Sequence, residues 1–234
     1  MLDALRILKY SVSDLWDELA VLVTLNVVWG LSALVPAVPA FLVPNPVTLI
    51  PMILLLGLPL PVISGALCHV TNQVARGQVA TWSVFGEGIQ RYWAKSLGVA
   101  ALNLLALAIL IANLRFYTLV LTEAWATVMT STWIVVAIFW GLVQIYWFPM
   151  ILEIESERVL DGLRRAVALV ILSPGFSLSA GIVAAFLIVL CALTLVPLLV
   201  LMASLLLLLS NHATRSRLAS AQKKTYRPHE LEGS

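Results

Sequence analysis

The chain has 234 residues, of which 61% are hydrophobic and only 11% are charged, and its mean hydropathy is +1.00. Soluble globular domains carry about 25% charged residues, so this composition excludes an ordinary soluble domain. The charges are also segregated, because Asp, Glu, Lys and Arg are absent from the intervals 19–75, 96–114, 124–152 and 166–214. Since a membrane-crossing helix needs about 20 apolar residues, we expect an all-α protein, a polytopic bundle of transmembrane helices in a lipid bilayer.

Residues 1–17 form the first expected unit, an amphipathic helix that lies on the membrane surface. Its apolar residues recur at steps of three and four, which places them on one face of a helix: Leu2, Leu5, Leu8, Val12, Leu15 and Leu19. The other faces carry several charges, so this helix is too polar to cross the bilayer. The alternative is a helix packed on the membrane bundle or on a partner protein.

Three crossings are expected in the first half of the bundle domain, which we assign to residues 18–212. The first runs from about Glu18 to Val35, and the second from about Val47 to Val74, with three prolines that bend or interrupt it. A polar loop with basic residues follows over 75–95. The third crossing runs from about Ala94 to Tyr117.

The second half begins with a fourth crossing from about Trp125 to Leu152, whose aromatic residues near its end are typical of an interfacial belt. A second amphipathic helix follows Glu153 and stops at Ser173-Pro174-Gly175. The apolar stretch 176–210 is too long for one untilted crossing and short for two. We expect a tight hairpin near Thr194 to Pro197, which gives six crossings. Five crossings with one long tilted helix is the alternative.

The distribution of Lys and Arg sets the expected orientation. If both termini, the 75–95 loop and the segment 153–165 are cytoplasmic, every Lys and Arg except Arg115 faces inward. An inward excess of basic residues is what orients polytopic proteins. We therefore expect a bacterial cytoplasmic (inner) membrane protein with both termini in the cytoplasm. Residues 213–234 are expected to form a polar, unstructured cytoplasmic tail.

His69 is the one histidine expected within the bundle. A buried imidazole can bind a metal, a haem or a chlorin-type pigment. No second His, Cys or carboxylate stands at ligand spacing, however, and a structural zinc site usually takes four protein ligands. We therefore list His69 as a candidate cofactor-binding residue, expect no metal or cofactor, and favour a hydrogen bond to a neighbouring helix.

Four amide side chains lie inside the expected crossings: Asn26, Asn103, Asn113 and Gln144. They could line a polar pathway, as in a channel or carrier. The favoured interpretation is hydrogen bonding between helices, which contributes roughly 0.6 kcal/mol per bond in membranes. Carriers of charged substrates generally need an ionisable group near the midplane, and this sequence has none there.

The carboxylates between Glu153 and Asp161 are the remaining candidates for chemistry. They are one helical turn apart, and the basic residues Arg158, Arg164 and Arg165 are near enough to neutralise them, so we expect a solvated, salt-bridged face. The sequence contains no phosphate loop, hydrolase triad or metalloprotease motif, and we expect no enzymatic activity. The net charge of +2 is too small to indicate a nucleic-acid partner.

Three groups of residues resemble the YesL family of bacterial membrane proteins. They are Asn26 with Trp29 in the first crossing, the run Pro61–Leu67 with Arg76-Gly77 and the aromatic segment Trp82 to Trp93, and the run Gln144–Pro149 with the amphipathic segment after it. The resemblance implies a polytopic inner-membrane protein, linked in some members with carbohydrate uptake. It carries over no functional residues, because no activity is established for the family.

Three functions are compatible with these observations. The first is a non-enzymatic accessory or structural subunit of a larger membrane complex, with a membrane-protein partner or a homo-oligomer as its assembly. The second is a small transport component for a neutral solute such as a sugar, suggested by the proline-broken second crossing. The third is a pigment- or haem-binding subunit, which depends on His69 alone.

Overall fold

A computed structural model describes residues 2–39, 45–120, 124–154, 158–194 and 201–221. Every regular element in these ranges is a helix, which confirms the all-α bundle. The α-helices in chain order are α1 (Leu2–Asp17), α2 (Leu19–Leu34), α3 (Pro46–Gly57), α4 (Pro59–Ala75), α5 (Trp82–Arg115), α6 (Ala124–Glu153), α7 (Val159–Leu172), α8 (Pro174–Thr194) and α9 (Met202–Ala221). A 3-10 turn at Val35–Ala37 extends α2, and a π-helical turn at Phe116–Val120 extends α5.

Within the described ranges, five helical stretches are long and apolar enough to cross a bilayer: Leu19–Ala37, Val47–Ala75, Trp82–Leu119, Trp125–Glu153 and Pro174–Cys191. Their order and positions agree with the first five expected crossings. Many large apolar side chains on them are exposed, as expected for surfaces that contact lipid. The protein is therefore a membrane-embedded helical bundle.

Helix α1 packs on the bundle with one face and leaves a second apolar stripe exposed. Its buried residues, where it meets α8 and α9, are Ala4, Ile7, Ser11, Asp14 and Leu15. Leu5 and Val12, from the expected surface stripe, are about half exposed, and Trp16 beside them is 73% exposed. The alternative interpretation, a helix packed on the bundle, is therefore the one observed, and the exposed stripe leaves α1 an apolar face for the membrane surface. The small residues Ala4 and Ser11 allow close approach to the bundle, although they do not belong to the strongly apolar pattern.

The second crossing is broken where its prolines predict. The Asn45 side-chain Oδ1 caps the start of α3 by accepting a hydrogen bond from the Val47 N–H at 2.9 Å. Helix α3 ends at Gly57 and α4 begins at Pro59. Leu58, between them, keeps helical backbone angles (φ −57°, ψ −37°), and its N–H reaches the Leu55 carbonyl at 3.3 Å. The break is therefore a local loss of the regular hydrogen bonds, because Pro59 has no N–H to donate.

A tight connection joins α4 to α5. Gly77 has a φ of 80°, and the chain reverses through the bonds Gly77 N–H to Val74 C=O (2.8 Å) and Gln78 N–H to Gln73 C=O (3.0 Å). This is a Schellman C-cap, which requires left-handed backbone at its glycine. Thr81 then caps α5. The expected loop over 75–95 is therefore wrong beyond Thr81, because residues 82–95 are the first turns of α5.

Helices α4 and α5 approach each other closely at two glycines. A Cβ added at Gly88 would lie 3.0 Å from the Ala66 Cα, and one at Gly65 would overlap the Ser96 Oγ. The missing side chains let the two backbones approach, as is common for small residues at membrane helix interfaces.

The mid-chain amphipathic helix is α7, which ends at Leu172, next to the expected stop at 173–175. Its face bearing Gly162, Ala166 and Leu169 is buried against α6. The Trp147 indole N–H on α6 donates a hydrogen bond to the Val159 carbonyl at the start of α7, at 3.2 Å. Helix α7 is therefore fixed to the bundle rather than only adsorbed on the membrane.

Helices α8 and α9 run antiparallel. The Arg217 Cζ on α9 lies 3.8 Å from the centroid of the Phe176 ring, near the start of α8. One continuous helix from 176 to 217 would separate these residues by about 60 Å, so the alternative of a single long tilted helix is wrong. The expected turn near 194–197 lies largely outside the described residues. Helix α9 is not one of the five apolar spans, but it returns the chain to the end of the bundle where α8 begins.

The tail begins later than expected. Helix α9 continues to Ala221, and Ala213, Thr214, Arg215, Ser216 and Ala219 are buried. Residues 213–221 therefore belong to the folded bundle, because Ala213 packs with residues of α6 and Arg215 pairs with Glu153, while Arg217 reaches Asp3 on α1 and Phe176 on α8. The expected boundary at 212 was wrong. Residues 222–234 lie outside the described part of the chain.

Candidate functional site: a polar cluster at one end of the bundle

Five polar side chains from three helices meet at one end of the bundle, and we call them the polar cluster: Asn72, Arg76, Glu153, Asn211 and Arg215. Asn72 and Arg76 lie in the last turn and the C-cap of α4, and Glu153 is the last residue of α6. Asn211 and Arg215 belong to the second half of α9. Asn72, Arg76 and Glu153 lie where apolar runs end, and the helices therefore place them at the same level of the bundle.

Asn72, Arg76 and Glu153 form a closed triangle of hydrogen bonds. The Arg76 Nη2 donates to the Glu153 Oε2 at 3.1 Å, and the Arg76 Nε donates to the Asn72 Oδ1 at 2.9 Å. The Asn72 Nδ2 completes the triangle by donating to the Glu153 Oε1 at 3.0 Å. Each side chain therefore orients the other two, and α4 is joined to α6.

Helix α9 is tied into the same cluster. The Asn72 Nδ2 also donates to the Asn211 Oδ1 at 3.1 Å, while the Asn211 Nδ2 donates to the Thr71 Oγ1 at 3.0 Å. The Arg215 Nε lies 3.7 Å from the Glu153 Oε1, and the Arg215 side chain is only 4% exposed. Three helices that are distant in sequence are therefore held together at one level.

The electrostatics of the cluster depend on Glu153. Its carboxylate lies between the guanidinium groups of Arg76 and Arg215, so it is the shared counter-ion of two cations. A buried charge is tolerated only when it is paired and hydrogen-bonded. Because the cluster's side chains bond to one another, its chemistry is that of a structural clasp.

A buried polar contact also attaches α1 to α9 at the same end of the bundle. The His212 Nε2 lies 2.8 Å from the Asp14 Oδ2, and both side chains are buried. Nearer the start of α1, the Arg217 Nη2 lies 3.9 Å from the Asp3 Oδ2. The N-terminal helix and the end of α9 therefore lie on the same side of the bundle.

Two of the four predicted amides join helices. The Asn26 Nδ2 on α2 donates to the Ser204 Oγ, and the Asn26 Oδ1 accepts from the Ser204 N–H at 3.0 Å on α9. The Asn103 Oδ1 on α5 accepts a hydrogen bond from the Trp140 indole N–H on α6 at 3.2 Å. These are the interhelical bonds that the sequence predicts.

The other two amides differ from that expectation. The Asn113 Nδ2 donates to the Ile109 carbonyl of its own helix at 2.8 Å. The Gln144 Nε2 is enclosed and has no hydrogen-bond partner among the described residues. The four amides are distributed over α2, α5 and α6, and no hydrogen bond in the described part of the chain joins any two of them.

His69 lies on α4, buried against α5. Its ring centroid is 5.2 Å from that of Tyr92, and its Nε2 has no hydrogen-bond partner among the described residues. The expected hydrogen bond from this nitrogen to a neighbouring helix is therefore not seen. No group of three His, Cys, Asp or Glu side chains in the described ranges could hold a metal ion.

Sequence reasoning missed the polar cluster because its members were assigned elsewhere. Glu153 was expected to pair with basic residues of its own segment, and Arg215 was assigned to an unstructured tail. The position of these residues in the sequence could have indicated the cluster. Arg76 and Glu153 each end a charge-free interval, and Asn211-His212 directly follows the last apolar run.

Comparison of the chain with protein-family models, with curated proteins and with solved structures finds no match. The resemblance to the YesL family therefore stays a prediction.

Proposed function

We propose that this chain is a non-enzymatic integral membrane protein that serves as an accessory or structural subunit of a larger membrane complex. The observation that carries the proposal is the polar cluster, whose charged and amide groups are bonded to one another across α4, α6 and α9. Polar side chains that bond helices together serve assembly of the bundle. Asn26 and Asn103 contribute in the same way.

We further propose that the end of the bundle bearing the polar cluster faces the cytoplasm of a bacterial cell. The described basic residues at that end include Arg6 and Lys9 on α1 and Arg164 and Arg165 on α7, whereas Arg115 is at the opposite end of α5. Support comes from the general inward excess of Lys and Arg in membrane proteins. Helix α1 and the last turns of α9 would then both lie on the cytoplasmic side.

The surface available to a partner at this end is aromatic. Trp16 on α1, and Trp82 and Trp93 on the first turns of α5, are each more than half exposed. Tryptophan is enriched both at membrane interfaces and at protein–protein contacts, since its ring is apolar and its N–H is polar. These side chains suit contact with headgroups and with a neighbouring membrane subunit.

Gentle purification from the native membrane tests the subunit role. The tagged chain is extracted in a mild detergent, and co-purifying proteins are quantified by mass spectrometry, with an unrelated tagged polytopic protein as the control. We expect at least one other membrane protein at a constant stoichiometry that is absent from the control. Recovery of the chain with no stoichiometric partner would contradict the proposal.

A second candidate function is a pigment- or haem-binding subunit, which the buried His69 Nε2 favours. His69 would offer this nitrogen to the metal of such a group. An absorbance scan of the same purified material separates the two roles. A visible band that disappears in His69→Ala would support the second candidate, and colourless protein would eliminate it.

A further inference from the structure

A groove runs along the membrane-embedded surface where α6, α8 and α9 meet. Its cavity volume is about 540 Å³, within the roughly 300–1,000 Å³ of typical small-molecule sites. The lining is apolar apart from Gln144 on α6 and Ser210 on α9. The Ser210 hydroxyl donates to the Ile145 carbonyl, which leaves Gln144 as the polar group to be explained.

The groove is elongated and begins near one membrane face. Along α8 it is lined from Leu178 to Ile188, which corresponds to about 15 Å at 1.5 Å per residue. Gln144 lies toward the Leu178 end, because the neighbouring Tyr146 hydroxyl is 3.1 Å from the Ser177 Oγ. Helix α8 has just begun at Pro174 there, after the amphipathic helix α7.

The amide nitrogen of the Gln144 side chain has no hydrogen-bond acceptor in the described part of the chain. This nitrogen, Nε2, is enclosed, and burying an amide N–H without a partner is costly. The last torsion of a glutamine side chain has a broad, roughly two-fold preference. Rotation about it can therefore present the N–H groups to the groove that Gln144 lines.

We propose that this groove binds one acyl chain of an ester-linked glycerophospholipid, with the Gln144 amide donating a hydrogen bond to the ester carbonyl. The apolar walls fit the chain, and Gln144 lies toward the end of the groove nearer the start of α8, the end at which the ester group of a lipid anchored at that membrane face would enter. The site is distinct from the polar cluster, and the proposal does not depend on the subunit role.

A matched pair of lipids tests the proposed hydrogen bond. A diester phospholipid and the diether lipid with the same chains and headgroup differ in the carbonyl oxygen that Gln144 would bind. The delipidated full chain is offered both lipids in equal amounts, and native mass spectrometry measures the occupancy of each. We expect the wild type to prefer the diester lipid by about fivefold, the effect of one hydrogen bond.

Three variants complete the experiment. Gln144→Leu should bind both lipids equally, because it keeps the volume and removes the donor. Gly141→Leu should lower the occupancy of both, since a side chain at Gly141 would enter open space beside the groove. Gly86→Leu on α5, where an added Cβ also meets nothing within 4 Å, is the control and should behave as the wild type.

Equal binding of the two lipids by the wild type would overturn the proposal, and this result does not depend on any variant folding. Retention of the diester preference in Gln144→Leu would also overturn it. Undiminished occupancy in Gly141→Leu would place the bound lipid outside the groove. A second copy of the chain seated on the groove would appear as a dimer whose formation Gly141→Leu abolishes, and that too would contradict the proposal.

Discussion

Asn26 on α2 and Ser204 on α9 form a reciprocal contact in the core of the bundle. The Asn26 Oδ1 accepts a hydrogen bond from the Ser204 N–H at 3.0 Å, and its Nδ2 donates to the Ser204 Oγ. Ser204 belongs to the first turn of α9, whose N–H groups have no partner within the helix. The Asn26 side chain therefore caps the start of α9, although Asn26 lies far from that helix in sequence.

The first prediction concerns this cap. Asn26→Leu should lower the free energy of unfolding by about 1–3 kcal/mol, because it leaves a buried N–H without an acceptor. Asn113→Leu is the control, since the Asn113 amide bonds within its own helix, and we expect a change of about 0.5 kcal/mol or less. Reversible unfolding in mixed micelles measures both. Equal effects of the two substitutions would show that Asn26 does not act as a cap.

The second prediction concerns the charge at the centre of the polar cluster. Glu153→Gln should destabilise the protein by about 2 kcal/mol, because Arg76 and Arg215 lose their shared counter-ion. The loss is below the 3–5 kcal/mol seen when a fully buried pair is broken, since the Arg76 side chain is 26% exposed.

Glu87→Gln is the matched control for that substitution. Glu87 pairs with Arg91 at 3.9 Å on the exposed surface of α5, where an ion pair contributes about 0.5 kcal/mol or less. Thermal unfolding of the two variants in the same detergent gives the comparison. The clasp interpretation fails if Glu153→Gln shifts the midpoint no more than Glu87→Gln does.

The third prediction concerns the left-handed residue between α4 and α5. Gly77→Ala should destabilise by about 1–2 kcal/mol, because its φ of 80° is strained for a residue with a Cβ. Gly86→Ala should have the opposite sign and stabilise by roughly 0.5–1 kcal/mol, since Gly86 lies inside α5 with open space around it. Unfolding curves that show the same sign for both would contradict the observed Schellman cap.

The fourth prediction is the orientation in the membrane. Ser13 on α1 and Ser220 on α9 are exposed near the end that bears the polar cluster, and Thr48 is exposed at the start of α3 on the far end. Single cysteines at these sites are treated with a membrane-impermeant maleimide in intact cells. We expect labelling of Thr48→Cys at once, and of the other two only after the membrane is opened. Immediate labelling of Ser220→Cys would reverse the proposed topology.

The elements of the bundle follow from the sequence better than their contacts do. Charge-free intervals located the five apolar spans, and the inward bias of Lys and Arg predicted that the chain turns back after α8, as the contact of Arg217 with Phe176 confirms. These features depend on local composition and on one global rule of charge distribution.

The errors occurred where tertiary contacts override composition. Residues 82–95 are polar enough to suggest a loop, yet packing against α4 keeps them helical. Residues 213–221 look like a tail, but contacts with α1, α6 and α8 hold them in the bundle. Periodicity on α1 identified an apolar stripe, whereas the face that meets the bundle contains Ser11 and Asp14. The Ser11 hydroxyl donates to the Ile7 carbonyl of its own helix, while Asp14 is paired with His212 of α9.

The polar cluster could not be predicted for the same reason. Glu153 pairs with Arg76 and Arg215, which lie far from it in sequence on two other helices. A single sequence shows that such charges end apolar runs. Which of them meet is decided by the arrangement of helices in space.

The size of the assembly in the native membrane tests the subunit role most directly. Native membrane is dispersed into polymer-bounded lipid discs without detergent, and the mass of the protein in discs that carry the tagged chain is measured. We predict a uniform assembly that contains the 25.5 kDa chain together with other proteins. Discs that contain the chain alone, as single copies or as multiples of its own mass, would contradict the account.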